Sequence, residues 1–171
     1  MSAPTLSASR TAPASRRAAD RVAAAARRAA ALLSERSVDV LRVSLGLVFL
    51  AFGLLKFVPG LSPAEDLVVR TVDVLSLGLV PGPVGLVLVA VLETFIGVTL
   101  VTGRLLGPGL LALGGATVGF LAPLALFPVE MFGSGPSLAA QYIVKDIVLV
   151  AAALVVAAKA YGSRTRAAAG G

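Results

Sequence analysis

Four apolar stretches, each close to twenty residues long, constrain this chain more than any other feature of its 171-residue sequence. A helix needs about 20 apolar residues to cross the hydrocarbon core of a bilayer. None of the stretches alternates regularly between apolar and polar residues, as the strands of a membrane barrel do. The sequence therefore predicts an all-α integral membrane protein, a four-helix bundle with spans at residues 40–58, 84–102, 105–127 and 138–158.

The composition excludes several other classes of protein. Hydrophobic residues make up 57% of the chain and charged residues 14%, whereas soluble domains carry about 25% charged residues. The chain contains no Cys and no His, so it has neither a thiol nucleophile nor the residue types that most often ligate metals and haem. The sequence predicts no catalytic residues, no metal site and no tightly bound cofactor. The question of enzymatic activity stays open, although the residue types favour a non-enzyme.

The positive charge is concentrated at the two ends of the chain. The net charge is +6, and eight of the fifteen Lys and Arg residues lie in the first 42 positions. Aromatic residues are few and are not interleaved with the basic ones, which argues against nucleic-acid binding. Because basic flanks stay in the cytoplasm, we expect a multi-pass protein with both termini cytoplasmic. Arg42 and Arg104 are expected to be membrane anchors at that surface.

The chain divides into three regions. Residues 1–39 are predicted to form a basic cytoplasmic tail, disordered at first and then an amphipathic helix over residues 16–33, either on an anionic membrane surface or solvated. Residues 40–160 form the four-span domain, and residues 161–171 are expected to be disordered.

Two features lie within the four-span domain. A short outer interfacial helix is predicted over residues 64–76, with a capped start at Ser62 and an end before Gly78. Gly115 and Gly119 are spaced for close packing of helices.

Glu93 is the most informative single residue, because it lies near the middle of an apolar span. A carboxylate there must face the bundle, take up a proton or find a charged partner. We expect it to form a buried polar cluster in the outer half of the bundle with Lys56, Lys145 and Asp146. Three roles are open for this cluster. It is a proton path, a site for a small polar ligand such as a quinone head group, or an ion-pair network that fixes helix register.

Three of the predicted spans carry short motifs in a particular order. The first contains Arg42, Gly46 and Phe52-Gly53-Leu54-Leu55-Lys56-Phe57; the second contains Leu92-Glu93, then Gly97 and Gly103-Arg104; the fourth contains Gln141-Tyr142-Ile143-Val144-Lys145-Asp146. In order and spacing, over about residues 40–158, this pattern resembles the DoxX family of membrane proteins.

The resemblance implies a four-helix protein of the bacterial cytoplasmic membrane. It further implies an accessory protein or subunit in sulfur or redox metabolism or in an oxidative-stress complex, with a soluble or membrane redox protein as partner. Quinone is the one cofactor that the resemblance suggests. The oligomeric state is not predicted. A small proton-coupled transporter using Glu93 and a structural membrane scaffold remain the alternatives.

Overall fold

The computed structural model describes residues 14–169 of the chain, and this part is all-α, as the sequence predicts. Within these residues no strand is present, apart from one isolated bridge between Gly133 and Gly135. The helices in this range are α1 Ala14–Leu55, α2 Glu65–Leu75, α3 Gly82–Thr102, α4 Leu106–Leu126, α5 Pro128–Phe132 and α6 Leu138–Ala169.

Three helices in the described part of the chain are long and apolar enough to cross a membrane. They lie at Ala18–Leu55, Gly82–Thr102 and Leu106–Leu126. These helices contain most of the first predicted span, all of the second and nearly all of the third. Pro81 and Gly103 flank α3. The fourth predicted stretch, residues 138–158, lies within α6.

The chain divides into two compact units, and the boundary along the sequence lies between Ser37 and Val38. In the first unit, the described residues from Ala14 onward are helical, which confirms the helix predicted over residues 16–33. The large apolar side chains of this helix are exposed, namely those of Val22, Leu32 and Leu33. The disorder predicted for residues 1–13 lies outside the described residues, whereas positions 14 and 15 are already helical.

In the second unit, α1 and α3 run antiparallel in close contact through glycines. A Cβ atom added to Gly97 would lie 2.6 Å from the backbone nitrogen of Leu50, and one added to Gly53 would lie 2.8 Å from the backbone nitrogen of Thr94. These distances are too short for a real side chain. Helix α1 therefore approaches the Gly97 face of α3 too closely for a side chain to fit between them.

The register of these contacts shows that α1 ends near the middle of α3 and does not reach the N-terminal end of α3. Because Leu50 lies opposite Gly97 and Gly53 lies opposite Thr94, the last residue of α1 lies level with about residue 92 of α3. Helix α3 begins at Gly82, so it extends beyond α1 by about ten residues, or about 15 Å. The first helix therefore does not flank α3 along its full length.

The segment that follows α1 satisfies much of its backbone hydrogen bonding locally. The backbone N–H groups of Lys56, Phe57 and Val58 each donate to the carbonyl three residues earlier. The N–H of Gly60 donates to Oε2 of Glu65 at 2.8 Å. These local hydrogen bonds give partners to backbone groups that the end of the helix leaves without them.

Helix α2 confirms the predicted short helix, with acidic residues in its first turn. The predicted cap is wrong, because Ala64 occupies the N-cap position and no side chain caps the helix. The carbonyl of Ser62, rather than its hydroxyl, accepts a hydrogen bond from the backbone of Glu65. Valines of α2 pack on Gly82 and Gly85, so α2 lies against the first turns of α3.

The main apolar core joins α1, α3, α4 and α6. Its buried members are Leu45, Phe49, Ile96, Leu100, Leu110, Leu113, Ala116 and Val156. A smaller core around Met131 joins α5 to the start of α6. The packing role predicted for Gly115 and Gly119 is not found in the described chain, since an added Cβ at either position meets nothing within 4 Å.

The last helix is longer than the predicted span. It continues to Ala169, so residues 161–169 are helical where the sequence suggested disorder. The segment continues a helix that is already formed, and extending a helix is easier than nucleating one, which explains the difference. Positions 170 and 171 lie outside the described residues.

Candidate functional site

The candidate site is built around a buried ion pair between Lys56 and Glu93. Lys56 Nζ lies 2.7 Å from Glu93 Oε2, which is the length of a charge-assisted hydrogen bond. The two side chains are only 4% and 7% exposed. The expectation that Glu93 faces the protein interior and finds a partner is confirmed.

Lys56 reaches Glu93 because α1 ends just before it. Its side chain is directed back along the helix, and Nζ also donates to the carbonyl oxygen of Phe52 at 3.4 Å. The same ammonium lies 5.9 Å from the centre of the Phe52 ring. A cation at a helix C-terminus interacts favourably with the carbonyl groups left without partners there. Lys56 therefore pairs inside the protein instead of extending outward to water.

Small residues bring the two helices together beside the pair. Gly53 lies one turn before Lys56, and a Cβ on it would lie 3.1 Å from the Cβ of Glu93. The hydroxyl oxygen of Thr94 is buried at this contact and has no hydrogen-bond partner among the described residues. The contact between α1 and α3 therefore contains one buried polar atom, the Thr94 hydroxyl oxygen, in addition to the Lys56–Glu93 pair.

Asp146 brings a third charged group to this site from α6. It is half-buried, and it lies near enough to Lys56 and Glu93 to interact electrostatically with both. Lys56 therefore interacts with two carboxylates, of which Asp146 also interacts with its neighbour Lys145. The structure thus brings three of the four predicted cluster residues together, each from a different part of the chain.

Lys145, the fourth predicted member, lies apart from the pair. It is exposed, and its Nζ lies 4.0 Å above the ring of Tyr142. Adjacent residues of a helix point about 100° apart, so Lys145 faces a different side of α6 from Asp146. Lys145 lines an open groove with Phe132 and Gln141.

Arg42, in α1, contacts the C-terminal end of α3. Its sequence position did not indicate this role. Its guanidinium donates to the carbonyl oxygens of Leu100 and Val101, in the last turn of α3. Its side chain is 18% exposed. Arg42 therefore caps a helix end whose carbonyls lack partners within the helix. Arg104, the other predicted anchor, is exposed in the link between α3 and α4.

A second ion pair, which sequence reasoning missed, joins α2 to α5. The guanidinium of Arg70 donates two hydrogen bonds to the carboxylate of Glu130, at 2.8 and 2.6 Å, and lies 5.0 Å from the ring centre of Phe127. The hydrogen bond from Arg70 lowers the pKa of Glu130, and the same bond raises the pKa of Arg70. The two residues are sixty positions apart, and no local pattern in the sequence points to their contact.

Comparison with known proteins gave no match, whether to a family model, to a curated protein or to a solved structure. The function of the site therefore has to be argued from its chemistry. A hydrogen-bond donor with a positive charge and two carboxylates meet in apolar surroundings. Such a group can hold a small polar molecule, exchange a proton, or fix the helices relative to one another.

Proposed function

We propose that this chain is a DoxX-like integral protein of the bacterial cytoplasmic membrane, serving as an accessory or subunit component of a redox or oxidative-stress pathway. The observation that carries the proposal is the buried pair of Lys56 with Glu93, close to Asp146. The motifs that resemble the family contain all three residues. Charged groups inside a membrane are costly, and they mark functional positions by default.

The chemistry of the cluster suits an accessory role. Without Cys or His the chain has few groups that carry electrons, so a partner protein supplies the redox centre. A quinone is the cofactor class that fits, because its polar head group needs hydrogen-bond partners in an apolar setting. The Lys56 ammonium is the charged donor that this setting offers. When bound, the quinone supplies the electron-accepting chemistry, while the residues of this chain hold and orient its head group.

The proposal includes four spans, with the fourth in α6 and both termini in the cytoplasm. Single cysteines test this cleanly, because the chain has none of its own. A Ser134→Cys variant is expected to react with a membrane-impermeant maleimide in intact cells, and an Arg104→Cys variant only after lysis. A Ser163→Cys variant should behave like Arg104→Cys. Labelling of position 163 in intact cells would contradict the fourth span or the orientation.

The function is tested by purification from native membranes in a mild detergent. We expect a redox protein, quinone or both to purify with the wild-type chain in a fixed ratio. A Glu93→Gln variant, which removes the carboxylate at nearly constant volume, should reduce that ratio. A Lys159→Met variant, altered in an exposed ion pair, is the matched control. The proposal fails if neither a redox protein nor quinone purifies with the wild type.

A proton-coupled transporter is the second candidate, and Asp146 favours it. This carboxylate is half-buried and interacts electrostatically with the deeply buried pair. Asp146 and Glu93 are therefore two successive proton-binding positions on a path into the protein. In liposomes, a transporter would move protons down an imposed gradient, and Glu93→Gln would abolish that flux. If the wild type neither moves protons nor purifies with a partner, the remaining role is that of a structural scaffold.

A further inference from the structure

The loop between α2 and α3, residues 76–81, carries two leucines whose side chains lie almost entirely outside the fold. Leu77 is 86% exposed and Leu79 is 83% exposed. The sequence contains no charged residue from Val74 to Leu92, so nothing charged accompanies them on the loop. A single exposed leucine is ordinary on a water-facing surface, whereas apolar side chains grouped on one short segment indicate a contact with an apolar partner.

The backbone of this loop has an acceptor within the chain for each of its N–H groups. Taken in order from residue 76 to residue 80, these groups donate to the carbonyl oxygens of Val72, Val74, Asp73 and Ser76 and to the hydroxyl oxygen of Ser76, at 2.8 to 3.2 Å. The last residue of the loop, Pro81, has no N–H. A loop in water can leave such groups to the solvent, but a loop among lipid chains cannot. The backbone of this loop is therefore suited to an apolar environment.

Leu77 also adopts a backbone conformation that leucine rarely takes. Its φ is +54°, and the φ of the following Gly78 is +75°. This left-handed region is unfavourable for a bulky side chain, whereas Gly and Asn accept it readily. A leucine here weakens the turn locally and yet presents its side chain to the outside. Such an unfavourable conformation indicates that the exposed side chain contacts something beyond the fold.

The loop lies at the level where α3 enters the hydrocarbon layer of a bilayer. Helix α3 has 21 residues and is about 31 Å long, close to the thickness of about 30 Å of that layer. Because valines of α2 pack on Gly82 and Gly85, α2 lies level with the first turn of α3 and not beyond it. Val84, Leu88 and Val91 share one face of α3 and are half exposed. An apolar face of α3 therefore begins within a few residues of the apolar loop.

We propose that the α2–α3 loop is a membrane anchor, which inserts Leu77 and Leu79 among the acyl chains of the leaflet at the N-terminal end of α3. Exposed leucines, an uncharged segment and a fully paired set of N–H groups match acyl chains better than water or a charged protein surface. The anchor keeps the C-terminal end of α2 in the leaflet and so keeps α2 on the first turns of α3. The proposal rests on α3 as a span and does not involve the Lys56–Glu93 pair.

Single cysteines report the position of the loop, because the chain has no Cys of its own. Leu77→Cys and Leu79→Cys are made separately in the full chain, labelled with the environment-sensitive fluorophore NBD and placed in phosphatidylcholine nanodiscs. Leu88→Cys, on the exposed face of α3, is the control for lipid, and Ser134→Cys, exposed between α5 and α6, is the control for water. Lipid brominated on its acyl chains quenches a label in the bilayer, and dissolved iodide quenches a label in water.

We expect the labels at positions 77, 79 and 88 to emit at shorter wavelength than the label at position 134. Brominated lipid should quench these three labels and iodide should not, whereas position 134 should show the reverse. Quenching of positions 77 and 79 by iodide overturns the anchor, and so does protection from both quenchers, which a covering protein would give. If position 88 also escapes brominated lipid, the span itself fails; if only positions 77 and 79 escape it, the anchor alone fails.

A Leu77→Asn variant separates an anchor from a residue that merely forms the turn. Asn accepts the left-handed conformation, so the free energy of unfolding in detergent should not fall. The apolar side chain is gone, so in nanodiscs the label at position 79 should lose quenching by brominated lipid and gain quenching by iodide. Unchanged quenching at position 79 overturns the role of Leu77 in the anchor. A lower free energy of unfolding overturns it too, because it would assign Leu77 to the packing of the fold.

Discussion

Removing one partner of the pair between Lys56 and Glu93 should destabilise the protein far more than removing both. The side chains are 4% and 7% exposed, so neither charge can reach water when its partner is lost. Breaking a buried pair in this way costs about 3–5 kcal/mol, whereas an apolar replacement of both residues is close to neutral. We therefore expect Lys56→Met and Glu93→Leu to be severe and the double variant to recover most of the loss.

The two single variants should also differ from each other. After Lys56→Met, Glu93 keeps only the repulsive neighbour Asp146. After Glu93→Leu, Lys56 keeps the Phe52 carbonyl, the Phe52 ring and the attraction of Asp146. Lys56→Met should therefore be the more destabilising of the two.

The free energy of unfolding can be measured in detergent micelles by titrating with sodium dodecyl sulfate and following the far-ultraviolet circular dichroism. Lys159→Met, which breaks an exposed pair, is the control and should cost at most about 1 kcal/mol. The reasoning is refuted if the single losses simply add in the double variant, within about 0.5 kcal/mol. It is also refuted if both single variants match the control.

Three further changes should have distinct effects. Gly97→Ala should cost about 1–3 kcal/mol, because its new methyl group meets the backbone of α1, whereas Gly115→Ala should be neutral or slightly stabilising. Arg42→Met should cost about 1–3 kcal/mol, because two carbonyls at the end of α3 lose their donor, whereas Arg104→Met should have little effect. Because the pKa of Glu130 is lowered in the folded protein, its ion pair is intact above the ordinary pKa of 4.5 and is lost as the pH falls through the lower folded value. Glu130→Gln should remove that pH dependence.

The glycine and arginine variants are measured by the same detergent titration. Equal losses at positions 97 and 115, or at positions 42 and 104, would contradict the assigned contacts. The acidic transition is measured by energy transfer between labels on α2 and α5, from neutral pH to about pH 2. A transition that is unchanged in Glu130→Gln would assign it to another group.

The sequence predicted those features that depend on local chemistry. Apolar runs bounded by Pro and Gly fixed the positions of α3 and α4 to within two residues. The burial of Glu93 could be predicted because a carboxylate in apolar surroundings has few alternatives. In each of these cases the information lies within a few turns of the residue concerned.

The sequence could not predict which lysine pairs with Glu93. That choice depends on the rotation and register of α1 against α3, and backbone contacts at Gly53 and Gly97 set both. The bonds of Arg42 and of Arg70 likewise join residues that are far apart in sequence. Helix α5 was missed because five residues are too few for a helical periodicity to be visible.

The early end of α1 leaves about 15 Å of α3 without a contact from that helix. Helix α2 covers this length instead, because its valines pack on Gly82 and Gly85. Displacing α2 would therefore uncover the part of α3 that α1 does not reach, so the short helix shields the longer one where the first helix has already ended.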